Sequence, residues 1–198
     1  MRLRKSSHYE RVRTLPNALS AARVLMAAAA AVLFLTRGAT ITPVVLCTLA
    51  AILDHLDGFL ARRWGQITRL GEHLDPLADK ILVSVIFLAL AGFTGNLLLW
   101  IVVILLLIRE WGITWLREAY KRNTGESIPA DSLGKWKMIT QALFGNFFLL
   151  WLALLPQGSE PSFLFRTLLV IALLIILALS YTSGLRYFLR MRRAMRQG

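Results

Sequence analysis

Cysteine is almost missing from this chain of 198 residues: Cys47 stands alone, inside an apolar run. One thiol forms no intrachain disulfide, and no Cys/His spacing suited to zinc exists, so its role is small apolar packing. Acids are scarce too, 11 against 23 Lys and Arg, for a formal net charge of +12. Such an excess raises nucleic acid as a partner, but no basic stripe exists. Lys and Arg lie in clusters between apolar runs, a pattern that argues against nucleic acid and fits an anionic cytoplasmic leaflet. Repeats and low-complexity tracts are absent, and no second domain is seen, so residues 1–198 read as one domain. What is abundant is apolar surface: 57% of residues are hydrophobic and the mean hydropathy is +0.60. That is too apolar for an ordinary soluble domain.

The expected fold is an all-α integral membrane protein of six transmembrane helices, near 17–36, 41–64, 71–93, 96–121, 132–155 and 162–188. Each has about the ~20 residues that a bilayer requires. Turn signals separate them: Arg37-Gly38-Ala39-Thr40, Gly65-Gln66, Gly92–Asn96, Asn123–Pro129 and Pro156–Pro161. The basic segment 1–13 is expected to form an amphipathic helix on the membrane surface. Its charge followed by Val24–Thr36 resembles a signal peptide, and it is read here as an uncleaved first membrane helix. With both termini cytoplasmic, 21 of the 23 basic residues fall inside and only Arg37 and Arg166 outside, as the positive-inside rule requires.

Four carboxylates interrupt these apolar segments. Asp54 and Asp57 are three residues apart and share one helix face; Asp75 and Asp79, four apart, share a face of the next helix. The turn between is short, so the helices are antiparallel neighbours and the acids can converge. A carboxylate at a helix centre in hydrocarbon costs roughly 2.5–3.5 kcal/mol on insertion scales. Bound hard divalent cations, Mg²⁺ or Mn²⁺, are the simplest compensation. Gly58, Ala61 and Gly71 beside the acids leave room for a large flat group to approach the backbone. Two metals can clamp a diphosphate, and a carboxylate can accept the proton of an incoming hydroxyl. The pattern therefore points to phosphoryl-type transfer at a membrane surface. His55 and His73 stand beside these acids but are rotated about 100–200° away on a helix, so they are not read as ligands.

The full run, Asp54-x2-Asp57-Gly58-x2-Ala61-Arg62-x8-Gly71-x3-Asp75-x3-Asp79, resembles the signature of the CDP-alcohol phosphotransferases at all eight fixed positions. Leu15-Pro-Asn-Ala-Leu-Ser-Ala-Ala-Arg23 resembles that family's first-helix entry. Leu74–Lys80, Ile108–Arg117 and Gly134-Lys-Trp-Lys137 resemble the bacterial phosphatidylglycerophosphate synthases in particular. The resemblance implies transfer of the phosphatidyl group of CDP-diacylglycerol to sn-glycerol 3-phosphate, with release of CMP. It implies a homodimer in the bacterial cytoplasmic (inner) membrane and a cytoplasmic active site. It also implies two ions held by Asp54, Asp57, Asp75 and Asp79, with Asp79 also the general base. Gly58, Ala61, Arg62 and Gly71 would shape the CDP site, with Asn17 and Arg23 near the nucleotide or capping and anchoring the first helix.

An acceptor that carries a phosphate needs cations of its own, and Arg109, Arg117, Lys135 and Lys137 are the candidates. Arg109 and Arg117 lie eight apart, about two turns, on one side of the fourth helix. The alternative is that these four are topology anchors. Glu110 and Glu118 are expected to pair with nearby Arg residues. Rival functions are cardiolipin synthase or phosphatidylinositol phosphate synthase with the same signature, and more remotely an ion or proton transporter. A proton path needs acids but not the small residues beside them.

Overall fold

A computed structural model describes the backbone of residues 15–64, 69–125, 132–156 and 159–197, and the side chains of 18–54, 75–125, 133–134, 136–156 and 159–196. The described residues form six helices and no strand: α1 (Leu15–Arg37), α2 (Ile41–Trp64), α3 (Arg69–Thr94), α4 (Leu97–Thr124), α5 (Ser132–Leu154) and α6 (Phe163–Gln197). The expected surface helix over 1–13 lies outside the described residues. Helices α1 to α5 follow the expected limits within a few residues. The sixth does not stop near 188 but continues to Gln197, because an Arg-rich tail has good helix propensity and need not end where the bilayer does. At 35 residues it is about 52 Å long, well beyond a hydrocarbon core of ~30 Å.

Among the described residues, four stretches are long and apolar enough to cross a membrane: Ala18–Arg37, Asp75–Thr94, Leu97–Thr124 and Phe163–Arg196. Ile41–Asp54 is a shorter apolar helix among the described residues. By length and composition this is a multi-pass membrane protein. Glycine in the left-handed region closes α1 at Gly38 (φ 74°) and α4 at Gly125 (φ 73°), where side chains are strained. Asn96 caps the start of α4 by accepting the N–H of Leu98 at 2.8 Å.

The chain divides into two compact units at Ile86/Phe87, within α3. In the first, α1 packs against α2. The buried positions are small: Ala27 and Ala30 on α1, Cys47 and Ala50 on α2, Ala78 on α3. Small residues let membrane helices approach closely, which van der Waals packing requires where lipid is as apolar as Leu. In the second unit α6 packs against both α4 and α5. Leu99, Val102, Val103 and Leu106 make the buried stripe of α4, and Phe165, Leu169, Leu173 and Ile176 that of α6. Edge-on ring contacts of Phe165 with Phe148 (5.5 Å) and Trp151 (5.0 Å) join α6 to α5. Farther along, each stripe turns polar: Glu110 on α4, Lys137 and Gln141 on α5, Ser180 on α6, all buried.

Candidate active site

In the first unit α1 grips two of the motif acids. Ser20 and Arg23 are three apart on its buried face. The Arg23 Nη2 lies 2.6 Å from Asp54 Oδ1 on α2, and Ser20 Oγ donates to Asp75 Oδ1 on α3 at 2.5 Å. The Arg23 side chain is 1% exposed and that of Asp54 is 30% exposed. A guanidinium so deeply buried needs an acid partner, whereas the acid keeps an open edge. On α3, Lys80 Nζ donates to Asp79 Oδ2 at 2.7 Å. Pro76 sits inside α3 between Asp75 and Asp79 and gives no N–H to the turn before it.

Helix α2 runs unbroken to Trp64 and α3 starts at Arg69, so Asp54 with Asp57, and Asp75 with Asp79, keep the helical spacing that the sequence demands. The side chains of Asp57, Gly58, Ala61, Arg62, Gly71 and Asn17 lie outside the described residues. Asp54, Asp75 and Asp79 offer hard oxygen donors that remain partly or largely exposed, a donor chemistry that fits Mg²⁺ or Mn²⁺. Among the described residues no three His, Cys, Asp or Glu side chains form a group that holds a metal; Asp57 is not among them.

In the second unit the expected phosphate-binding cations divide. Lys137 Nζ donates to both Glu110 oxygens, at 2.6 and 2.8 Å, and Arg109 Nη1 donates to Glu110 Oε1 at 3.0 Å. Ser180 Oγ on α6 donates to the same oxygen at 2.8 Å, and Gln141 Nε2 more weakly at 3.4 Å. Arg117 goes elsewhere: its guanidinium lies 4.7 Å from the centre of the Tyr187 ring, in a cation–π contact. The Lys135 side chain lies outside the described residues. Glu118 pairs with Arg122 at 3.2 Å, as expected of a neighbouring Arg.

Sequence reasoning left three of these residues without a role: Ser20, Gln141 and Ser180. Each had a signal. Ser20 lies one turn before Arg23, and Gln141 one turn after Lys137; Ser180 continues the apolar stripe of α6 at helical spacing.

The model of the CDP-alcohol phosphatidyltransferase family matches residues 13–180, most of the chain and every motif position. This chain belongs to that family. Relatives agree: a Cereibacter sphaeroides CDP-diacylglycerol–glycerol-3-phosphate 3-phosphatidyltransferase is 36% identical over 132 residues, 65% of this chain and 59% of its own. A Pectobacterium atrosepticum protein of the same name is 34% identical over 151 residues, 72% of this chain and 76% of its own. A Mycobacterium tuberculosis protein, a probable phosphatidylglycerophosphate synthase, is 42% identical over 101 residues, 51% of this chain and 46% of its own. The chain thus spans between 46% and 76% of the length of these relatives. CDP-alcohol phosphatidyltransferases are generally metal-dependent, which agrees with the oxygen donors on α2 and α3.

Proposed function

We propose that this protein transfers the phosphatidyl group of CDP-diacylglycerol to sn-glycerol 3-phosphate. The C1 hydroxyl oxygen of the acceptor bonds to the phosphorus that carries the diacylglycerol. The pyrophosphate P–O bond breaks, and CMP leaves with its electron pair. The hydroxyl proton passes to Asp79, a carboxylate suited to act as general base. Asp54, Asp57, Asp75 and Asp79 would hold two Mg²⁺ or Mn²⁺ ions, whose charge offsets that of the diphosphate. Gly58, Ala61, Arg62, Gly71 and Asn17 shape the CDP site. Arg23, buried against Asp54, acts there through that acid.

Arg109, Arg117, Lys135 and Lys137 serve the phosphate of the acceptor. Two cations on one carboxylate leave the Arg109–Glu110–Lys137 group one net positive charge, which favours a phosphomonoester. The protein works as a homodimer in the bacterial inner membrane with both termini cytoplasmic. Cysteines placed at Ser6 and Gln197 should then be unreachable from outside intact cells.

The observation that carries this reading is the intact eight-position motif in a chain of this family. The purified protein should release CMP from CDP-diacylglycerol only when glycerol 3-phosphate and a divalent cation are both present. A panel of glycerol 3-phosphate, phosphatidylglycerol, inositol phosphate and serine tests the acceptor. CMP release with phosphatidylglycerol but not with glycerol 3-phosphate would overturn the assignment in favour of a cardiolipin synthase.

A further inference from the structure

We propose that Glu110 is a positioning residue for the acceptor's phosphate, and that α6, which carries no part of the motif, supplies its seat. The proposal rests on the reading given above. Glu110 lies on the buried stripe of α4, and its side chain is 1% exposed. A carboxylate offers about four acceptor positions. Lys137 uses both oxygens, and Ser180, Arg109 and Gln141 converge on Oε1. Four of these five contacts fall on Oε1 and Lys137 also takes Oε2, so the Glu110 carboxylate is engaged by its neighbours on both oxygens. What it does is hold two cations still.

Arg109 is fixed from its other side as well. Its side chain is 8% exposed and lies against α6 at Gly184, where a Cβ would come within 3.0 Å of Nε and 3.2 Å of Nη2. Glycine at this position gives the guanidinium its clearance. Ser180 and Gly184 are one helical turn apart, so a single face of α6 gives Glu110 a hydroxyl and Arg109 its room. The Arg109 Nε–H is buried with no acceptor among the described residues, so this guanidinium keeps donor capacity that those neighbours do not use. Rigid placement of two cations around one carboxylate is what recognition of a phosphate's geometry requires, beyond attraction to its charge.

Steady-state kinetics on the full chain separate positioning from bulk charge and from folding. CMP release is followed while each substrate is varied in turn. Glu110→Gln should raise the KM for glycerol 3-phosphate by about tenfold or more and leave that for CDP-diacylglycerol within about twofold. Glu110→Asp keeps the charge but shortens the arm, and it should do as much damage. Ser180→Ala and Gly184→Ala should raise the same KM by about three- to fivefold.

A lower KM for glycerol 3-phosphate in Glu110→Gln would mean that Glu110 merely cancels charge and would overturn the proposal. So would rescue by Asp, or an equal rise in both KM values. If the Glu110 variants do not fold, Ser180→Ala and Gly184→Ala decide alone, and an unchanged KM in both refutes the seat. A wild-type protein that ignores glycerol 3-phosphate sinks the functional reading, and this proposal with it. A wild-type protein saturable by glycerol 3-phosphate and matched by all its variants sinks only the positioning.

Discussion

Each unit holds a carboxylate against buried cationic side chains, and the two arrangements differ in what they leave open. Asp54 meets Arg23 through Oδ1 and stays 30% exposed, while the guanidinium is almost wholly enclosed. Glu110 is enclosed together with its cations: its side chain is 1% exposed and that of Lys137 6%. Removing charges from water costs several kcal/mol per ion unless geometry and hydrogen bonds compensate. The Glu110 group meets that cost with donor contacts from Arg109, Lys137, Gln141 and Ser180. An acid that must receive a ligand keeps a free face; an acid that must hold its neighbours is surrounded. Formal charge does not distinguish the two, but burial does.

The largest effect that would test this contrast is on catalysis in the first unit. Asp54→Asn and Asp75→Asn should abolish CMP release, as should Asp57→Asn, while the protein still purifies as a folded, monodisperse species. Retention of more than about a tenth of the activity, a barrier change under ~1.4 kcal/mol, would mean these acids do not serve the reaction.

Next in size is stability in the second unit. Glu110→Ala leaves Lys137 and Arg109 buried without their acid, and it should destabilise the protein by about 3–5 kcal/mol. Thermal unfolding in detergent reads this, and a melting temperature within a degree of wild type would erase the distinction between the two acids. Arg117→Lys should cost less, about 0.5–1 kcal/mol, because a flexible ammonium replaces a flat guanidinium over the Tyr187 ring. The same melts check it, and a larger loss would show that Arg117 has a further buried partner. Smallest is Glu118→Ala: its partner Arg122 is exposed, so the i,i+4 pair contributes about 0.3–0.5 kcal/mol at most. A drop as large as that of Glu110→Ala would overturn the burial argument.

Much of the fold was legible because helices in a membrane are read locally. Apolar length, turn glycines and polar caps decide where a helix starts and stops, and Gly38, Asn96 and Gly125 do so here. Helix α6 runs nine residues past the span end expected near 188, since bilayer thickness bounds a span but not the helix that contains it. The motif acids were equally legible, as their three- and four-residue spacings place them on single faces whatever the helices pack against.

The sequence by itself determined six helices, the chemistry of the motif on α2 and α3, and an excess of cations beyond the motif. Only the tertiary structure decided which cation meets which acid. Arg23 and Ser20 reach Asp54 and Asp75 across 31 and 55 residues of chain, and Ser180 reaches Glu110 across 70. Such pairings depend on how helices dock, and docking is set by the whole buried stripe of each helix rather than by the polar residues themselves. Gly184 makes the same point with no charge at all. Nothing in its neighbours along the chain marks it, and its missing side chain matters only because α4 places Arg109 against it.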